Sequence, residues 1–213
     1  MYAPILAIRQ ARYKTRFIWN KINAVTYDAI ITFIPRGEVK LTETQIKALL
    51  AYLNSSFVQL YIESEGRTTG AVGPIGLEVR HAEKMPIIDV SNLNENNLRE
   101  LADLFDKLDS EARRLGGADK RENIIKLWDT TIVEIDYKIA DILGLSRELA
   151  DGSRALAKIM MERRLQRAQE ARPQAIRGEE EEYRPQKLPT SRARRRRMIK
   201  EDKGQTRLNG ILS

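Results

Sequence analysis

The pattern of apolar and polar positions divides the chain into a strand-like start and a helical remainder. Residues 2–8, 13–19 and 29–34 are short runs rich in β-branched and aromatic side chains, separated by polar breaks. Each predicts a strand, and Pro35-Arg36-Gly37 predicts the turn that follows. From residue 42 the period becomes helical. Thr42 is followed three positions on by Gln45, the capping-box arrangement. Ile46, Leu49, Leu50, Leu53, Phe57, Leu60 and Tyr61 then share one face, which predicts a single helix running to about residue 63. Asn54, Ser55 and Ser56 fall inside it. They are poor helix formers, and their small size reads as a means of packing the helix closely on a sheet.

Residues 66–76 carry Gly66, Gly70, Gly73 and Gly76 with Pro74, which predicts a loop. Ile75, Leu77 and Val79 alternate with other positions and predict that the loop feeds a strand carrying His81. After Asn92 the helical period returns. Leu98, Leu101, Ala102, Phe105, Leu108, Ala112 and Leu115 predict a helix ended by Gly116-Gly117. Ile124, Leu127, Trp128, Thr131, Ile135, Ile139 and Ile142 predict a second, stopped by Gly144, and Leu149, Leu156, Ile159, Met160 and Leu165 a third. Tight connections between such helices favour antiparallel packing. The fold class that follows is α+β: a small mixed or antiparallel sheet with a packed helix, then an antiparallel helical segment. The divisions fall at 1–92, 93–171 and 172–213, the last a disordered basic tail with Pro173, Pro185, Pro189, an acidic run at 179–182 and four consecutive arginines at 194–197.

Charge sharpens this picture. The chain of 213 residues carries a net +7, but residues 1–40 hold 7 Lys/Arg against 2 Asp/Glu, and 172–213 hold 12 against 6. The helical middle, 91–171, holds 14 against 16. Two basic ends around a near-neutral middle suit a polyanion, whose counterions are released on binding. There is no cysteine and one histidine, which excludes disulfide scaffolds, thiolate metal sites and cysteine nucleophiles. His81 has no serine coupled to it in the sequence and reads as a surface or packing residue. Asp103, Asp106 and Asp109 recur every three residues and read as a solvated face. No constellation suggests catalysis or a metal site. No apolar run approaches the roughly 18 residues of a membrane span, so a cytoplasmic protein without membrane association is expected.

Order of elements carries one further signal. The helix with Leu53-Asn54-Ser55-Ser56, the aromatic Tyr61, the glycine-rich loop, Leu77 to Val79, and Met85-Pro86-Ile87 occur in succession. This succession resembles the C-terminal target-recognition region of N6-adenine DNA methyltransferases and fused restriction–modification enzymes. The strands upstream, and the segments EIDYKIADILGLS and MMERRLQRAQEAR downstream, resemble the same family, so the likeness covers about residues 5–171. Type I restriction specificity subunits share a related module. The resemblance implies binding to double-stranded DNA and association with a separate catalytic domain or subunit. That partner would bind S-adenosylmethionine through an F-x-G-x-G-type loop and methylate a flipped adenine with an (N/D)-P-P-(Y/F) motif. Neither motif is in this chain, in which no two prolines are adjacent. No cofactor and no catalytic residue is therefore expected here, and base flipping would belong to the partner.

The candidate DNA-contacting residues follow from the chemistry of readout. Arginine and lysine hold phosphates, arginine reads guanine and asparagine adenine through paired hydrogen bonds. Arg12, Lys14 and Arg16, with Arg9, are placed on a strand platform. Trp19, Asn20 and Lys21 offer a stacking ring and an amide beside a cation. Arg67, Thr68 and Thr69 sit in a loop with few bulky neighbours, and Arg80 follows on the next element. The alternative is a helical scaffold that docks a partner protein through residues 95–165 and owes any nucleic-acid affinity to the basic tail.

Overall fold

The computed structural model describes residues 3–35, 39–68, 73–118 and 120–182, the last eleven as backbone alone. The protein is α+β. In chain order the elements are β1 (Ile5–Ile8), β2 (Gln10–Ala11), β3 (Phe17–Trp19), β4 (Ile30–Phe33), α1 (Glu43–Leu53), α2 (Ser56–Glu65), β5 (Arg67–Thr68), β6 (Ile75–Gly76), α3 (Val79–Lys84), α4 (Glu95–Arg114), α5 (Arg121–Asp129), α6 (Thr131–Leu143) and α7 (Arg147–Glu182). Among the described residues two three-stranded antiparallel sheets form, in the orders β3-β1-β4 and β2-β6-β5.

The register places Leu6 between Ile18 and Thr32, so the opposite face of the first sheet carries Ile5, Ala7, Phe17 and Ile31. That face is buried against α1 through Leu50, Ala51 and Leu53, and the same cluster continues into Phe105, Trp128, Ile135, Ile139, Ala157 and Met161. Residues up to Arg172 form one compact unit, so segments 1–92 and 93–171 share a core rather than each closing its own. Helix α7 has its bounds at Arg147 and Glu182. Residues 183–213 lie outside the described residues, as do Arg36 and Gly37 of the expected turn.

Three expectations are corrected. The helix expected to run unbroken from 42 to 63 divides at Asn54-Ser55. Asn54 ends α1 and Ser55 caps α2, its hydroxyl accepting from Val58 N. Local side-chain bonds compete here with the helical ladder and win. The helix expected over 124–142 divides at Thr130, whose φ of −123° and ψ of −98° end α5 and open α6. The strand expected through Val79 stops at Gly76. Leu77 is fully buried but Val79 is exposed, and Ala82 N bonds back to Glu78 O, so His81 lies on a helix. At the other helix ends the sequence signals hold: Thr42 and Gln45 close the capping box, and Gly144 takes the left-handed conformation (φ 67°) that terminates α6. Among the described residues no helix is long and apolar enough to cross a membrane.

Candidate nucleic-acid interface

Two residues expected to contact DNA lie inside the protein. Lys14 is 5% exposed. Asn20 is buried, its amide donating to Ala3 O and Ala24 O and accepting from Ala24 N, so it ties down the start of the β3–β4 loop and has no group left for a base. Trp19 is half-buried, with Lys21 Nζ 4.1 Å and Lys47 Nζ 5.5 Å from its ring centre. Lys21 therefore reaches solvent while resting on that ring. Arg16 is half-buried and lines the same cavity as Lys14. Thr69 lies outside the described residues.

The remaining candidates come together with residues that were not among them. Arg67 and Arg80 are exposed and share Glu78, at 3.4 and 3.1 Å. Partial burial opposes ionisation of Glu78, but the Arg67 hydrogen bond and the charges of Arg80, Arg67 and His81 hold its carboxyl below the ordinary value. A groove of about 420 Å3 runs past Arg67, lined by Arg9, Gln10, Asp28 and Gly76. Thr68 lines a second groove, of about 440 Å3, with Arg163, Arg167 and Gln166 of α7. Gln166 also lines a third, of about 300 Å3, with Arg12, Tyr13 and Arg121. Gln166 lines both the second and the third groove, whereas the Arg67 groove shares no lining residue with either; the three grooves of this arginine band together carry Arg9, Arg67, Arg163, Arg167, Arg121 and Arg12.

Acids neutralise only part of this band. Arg121 pairs with Glu162 at 2.6 Å, and Arg67 with Glu78. Among the described residues Arg9, Arg12, Arg163 and Arg167 form no ion pair; Arg9 donates to Asp28 O, and Arg12 rests 5.9 Å from the Tyr13 ring centre.

A buried network fixes the band in place. Arg164, 4% exposed, holds both oxygens of Glu63 at 3.0 and 2.8 Å, and its other hydrogens go to Arg12 O, Tyr13 O and Gly73 O. Glu63 accepts from Gln59 Nε2, and Gln59 Oε1 accepts from Thr15 N. One guanidinium therefore spans α7, α2, the β2–β3 connection and the glycine loop. Gly73 has φ +84°, and a Cβ there would lie 2.9 Å from Ala168 Cβ, so the loop requires glycine at this point. Arg163, Arg164 and Arg167 gave no motif, yet a signal existed: Arg164 falls in helical phase with the apolar Ala157, Met161 and Leu165. A cation on an apolar stripe requires a partner.

A second network accounts for Asn54 and Ser56. Asn54 accepts from Phe17 N and donates to Phe17 O and Leu50 O, pairing with the free edge of β3 as another strand would. Ser56 N donates to Asp136 Oδ1, and Trp128 Nε1 donates to Ser56 Oγ at 2.7 Å. Burial pushes the Asp136 carboxyl above its ordinary value, against the pull of Ser56 and Arg154.

No family model, no characterised protein and no solved structure matches this chain.

Proposed function

We propose that this chain is the sequence-reading part of an adenine-specific DNA methylation or restriction–modification system. It binds duplex DNA, and a separate domain or subunit that holds S-adenosylmethionine transfers the methyl group. The observation that carries this reading is the arginine band, with four guanidinium groups unpaired among the described residues on a surface anchored by Arg164. Guanidinium groups serve both phosphate and guanine. Arg67, beside Gln10, is assigned to base edges, and Arg163 and Arg167 to phosphates.

The test is fluorescence anisotropy of the purified chain with labelled duplexes of randomised sequence, followed by selection for preferred sites. Binding that weakens steeply with salt, and an enriched sequence, are expected. Absence of binding at low ionic strength defeats the reading, and methylation of adenine by the chain alone overturns the division of labour.

A second reading has its own observation. Leu149, Leu156 and Ile159 are exposed at helical spacing on α7, as a scaffold that docks another protein requires. Under that reading the selected duplexes show no common sequence.

A further inference from the structure

A cavity of about 510 Å3 lies between β3 and helices α4, α5 and α6, and it shares no lining residue with the arginine grooves. Its wall is largely apolar, built from Phe17, Trp19, Phe105, Leu108, Leu127 and Ile132. Lys14 is set among them, 5% exposed. Among the described residues it forms no hydrogen bond and no ion pair. The acid whose charge it feels is Asp136, and that carboxylate is engaged by Ser56 N and by Arg154 at 3.1 Å. A second donor is unmet: the buried Trp19 Nε1 has no acceptor. The acids at the cavity, Asp106 and Asp109, are held by Lys47 at 2.8 Å and Arg113 at 2.9 Å. The lining therefore includes one buried ammonium without a partner and, among the described residues, no unpaired acid.

A buried ammonium without a partner is costly, and proteins ordinarily pair it or hydrogen-bond it. Burial lowers the Lys14 pKa to about 8, with Asp136 opposing, so the group is still largely charged at neutral pH and still calls for a counter-ion. The cavity volume falls within the range that encloses a small molecule. Arg16, Lys21 and Arg113 also line the cavity, but Lys14 is the cation buried among its apolar residues; one such ammonium suits the single charge of a carboxylate, and the aromatic and aliphatic wall suits a hydrocarbon body. We propose that this cavity binds an apolar monocarboxylate, its hydrocarbon part against Phe17, Phe105 and Leu127 and its carboxylate on the Lys14 ammonium. The site shares no lining residue with the arginine grooves.

The probe is octanoate, titrated calorimetrically into the full chain beside octanol, which has the same chain without the charge. Saturable binding of octanoate at one site is expected, weakened about tenfold or more in octanol and in Lys14→Met, the loss of one charge-assisted hydrogen bond. The wild-type protein supplies a second readout that requires no variant. Octanoate is expected to slow reductive methylation of Lys14, read by mass spectrometry, and to leave the exposed Lys120 unaffected. Equal binding of octanol and octanoate, unchanged binding by Lys14→Met, equal labelling of Lys14 with and without octanoate, or no octanoate binding would each overturn the proposal. DNA affinity measured in the same samples is expected to stay constant.

Discussion

Asn54 stands where α1 ends and β3 exposes its outer edge, and its amide serves both. Removing it leaves the buried Phe17 N–H and C=O without partners, and each such group costs about 1–3 kcal/mol. Asn54→Ala is expected to destabilise the fold by about 2–4 kcal/mol, read from urea midpoints. Asn54→Asp keeps the acceptor for Phe17 N but brings a carboxylate up to Phe17 O, so it is expected to be no better than alanine; a variant as stable as wild type would deny the role. Lys14 gives a prediction in pH. Its folded pKa of about 8 lies below the ordinary 10.5, so between these values the unfolded chain holds the extra proton and stability rises with pH. The gain is on the order of 3 kcal/mol across that window. In Lys14→Met the rise is expected to vanish, and stability at pH 7 to exceed that of wild type. Parallel pH profiles of the two proteins would show that Lys14 is not desolvated.

At the scale of elements, the Glu63–Arg164 pair joins α2 to α7 across a hundred residues of sequence. Breaking a buried pair from one side leaves an uncompensated charge, at a cost of about 3–5 kcal/mol. Arg164→Met alone is expected to show that loss, and the double variant Arg164→Met with Glu63→Met to recover much of it in a denaturation experiment. If the double variant is no more stable than the single one, the carbonyls of Arg12, Tyr13 and Gly73 are what Arg164 chiefly serves. Such elements were unevenly legible in the sequence. Those set by local chemistry could be read: the Thr42 capping box, the Gly144 stop, and the apolar periods of α1 and α4. The breaks at Asn54 and Thr130 could not, because apolar residues keep the helical phase on both sides of each. Besides the local Ser55 cap, the break in the first helix is held by the edge of β3 and the carboxylate of Asp136, both distant in sequence. Alternation misled at Leu77 and Val79, where a two-residue strand was too short for its period to count.

For the whole molecule, composition pointed to the basic N-terminal region but could not say which of its cations face solvent. Of the candidates there, Arg12 and Lys21 are exposed, whereas Lys14 and Asn20 are buried. The cations that complete the band, Arg163 and Arg167, come from the near-neutral helical segment, whose net charge concealed their placement on one face. This gives the DNA reading a quantitative consequence. Each phosphate contact adds about 0.9 to the slope of log affinity against log salt. The pair Arg163→Gln and Arg167→Gln is therefore expected to lower the slope by roughly 2 and weaken all duplexes alike. Arg67→Gln is expected to relax sequence preference at one position and change the slope little, since Glu78 already offsets its charge. The tail, with 12 Lys/Arg against 6 Asp/Glu over residues 172–213, is expected to add affinity for a polyanion under either functional reading, so it must be removed to separate them. The chain ending at Arg172 keeps the compact unit with its core. If the band reads DNA, this shortened protein loses affinity but keeps the sequence preference of the full chain, and Arg67→Gln then relaxes that preference at one position. If only the tail binds, deletion abolishes binding to every duplex, and the helical face of Leu149, Leu156 and Ile159 is left as the working surface of the molecule.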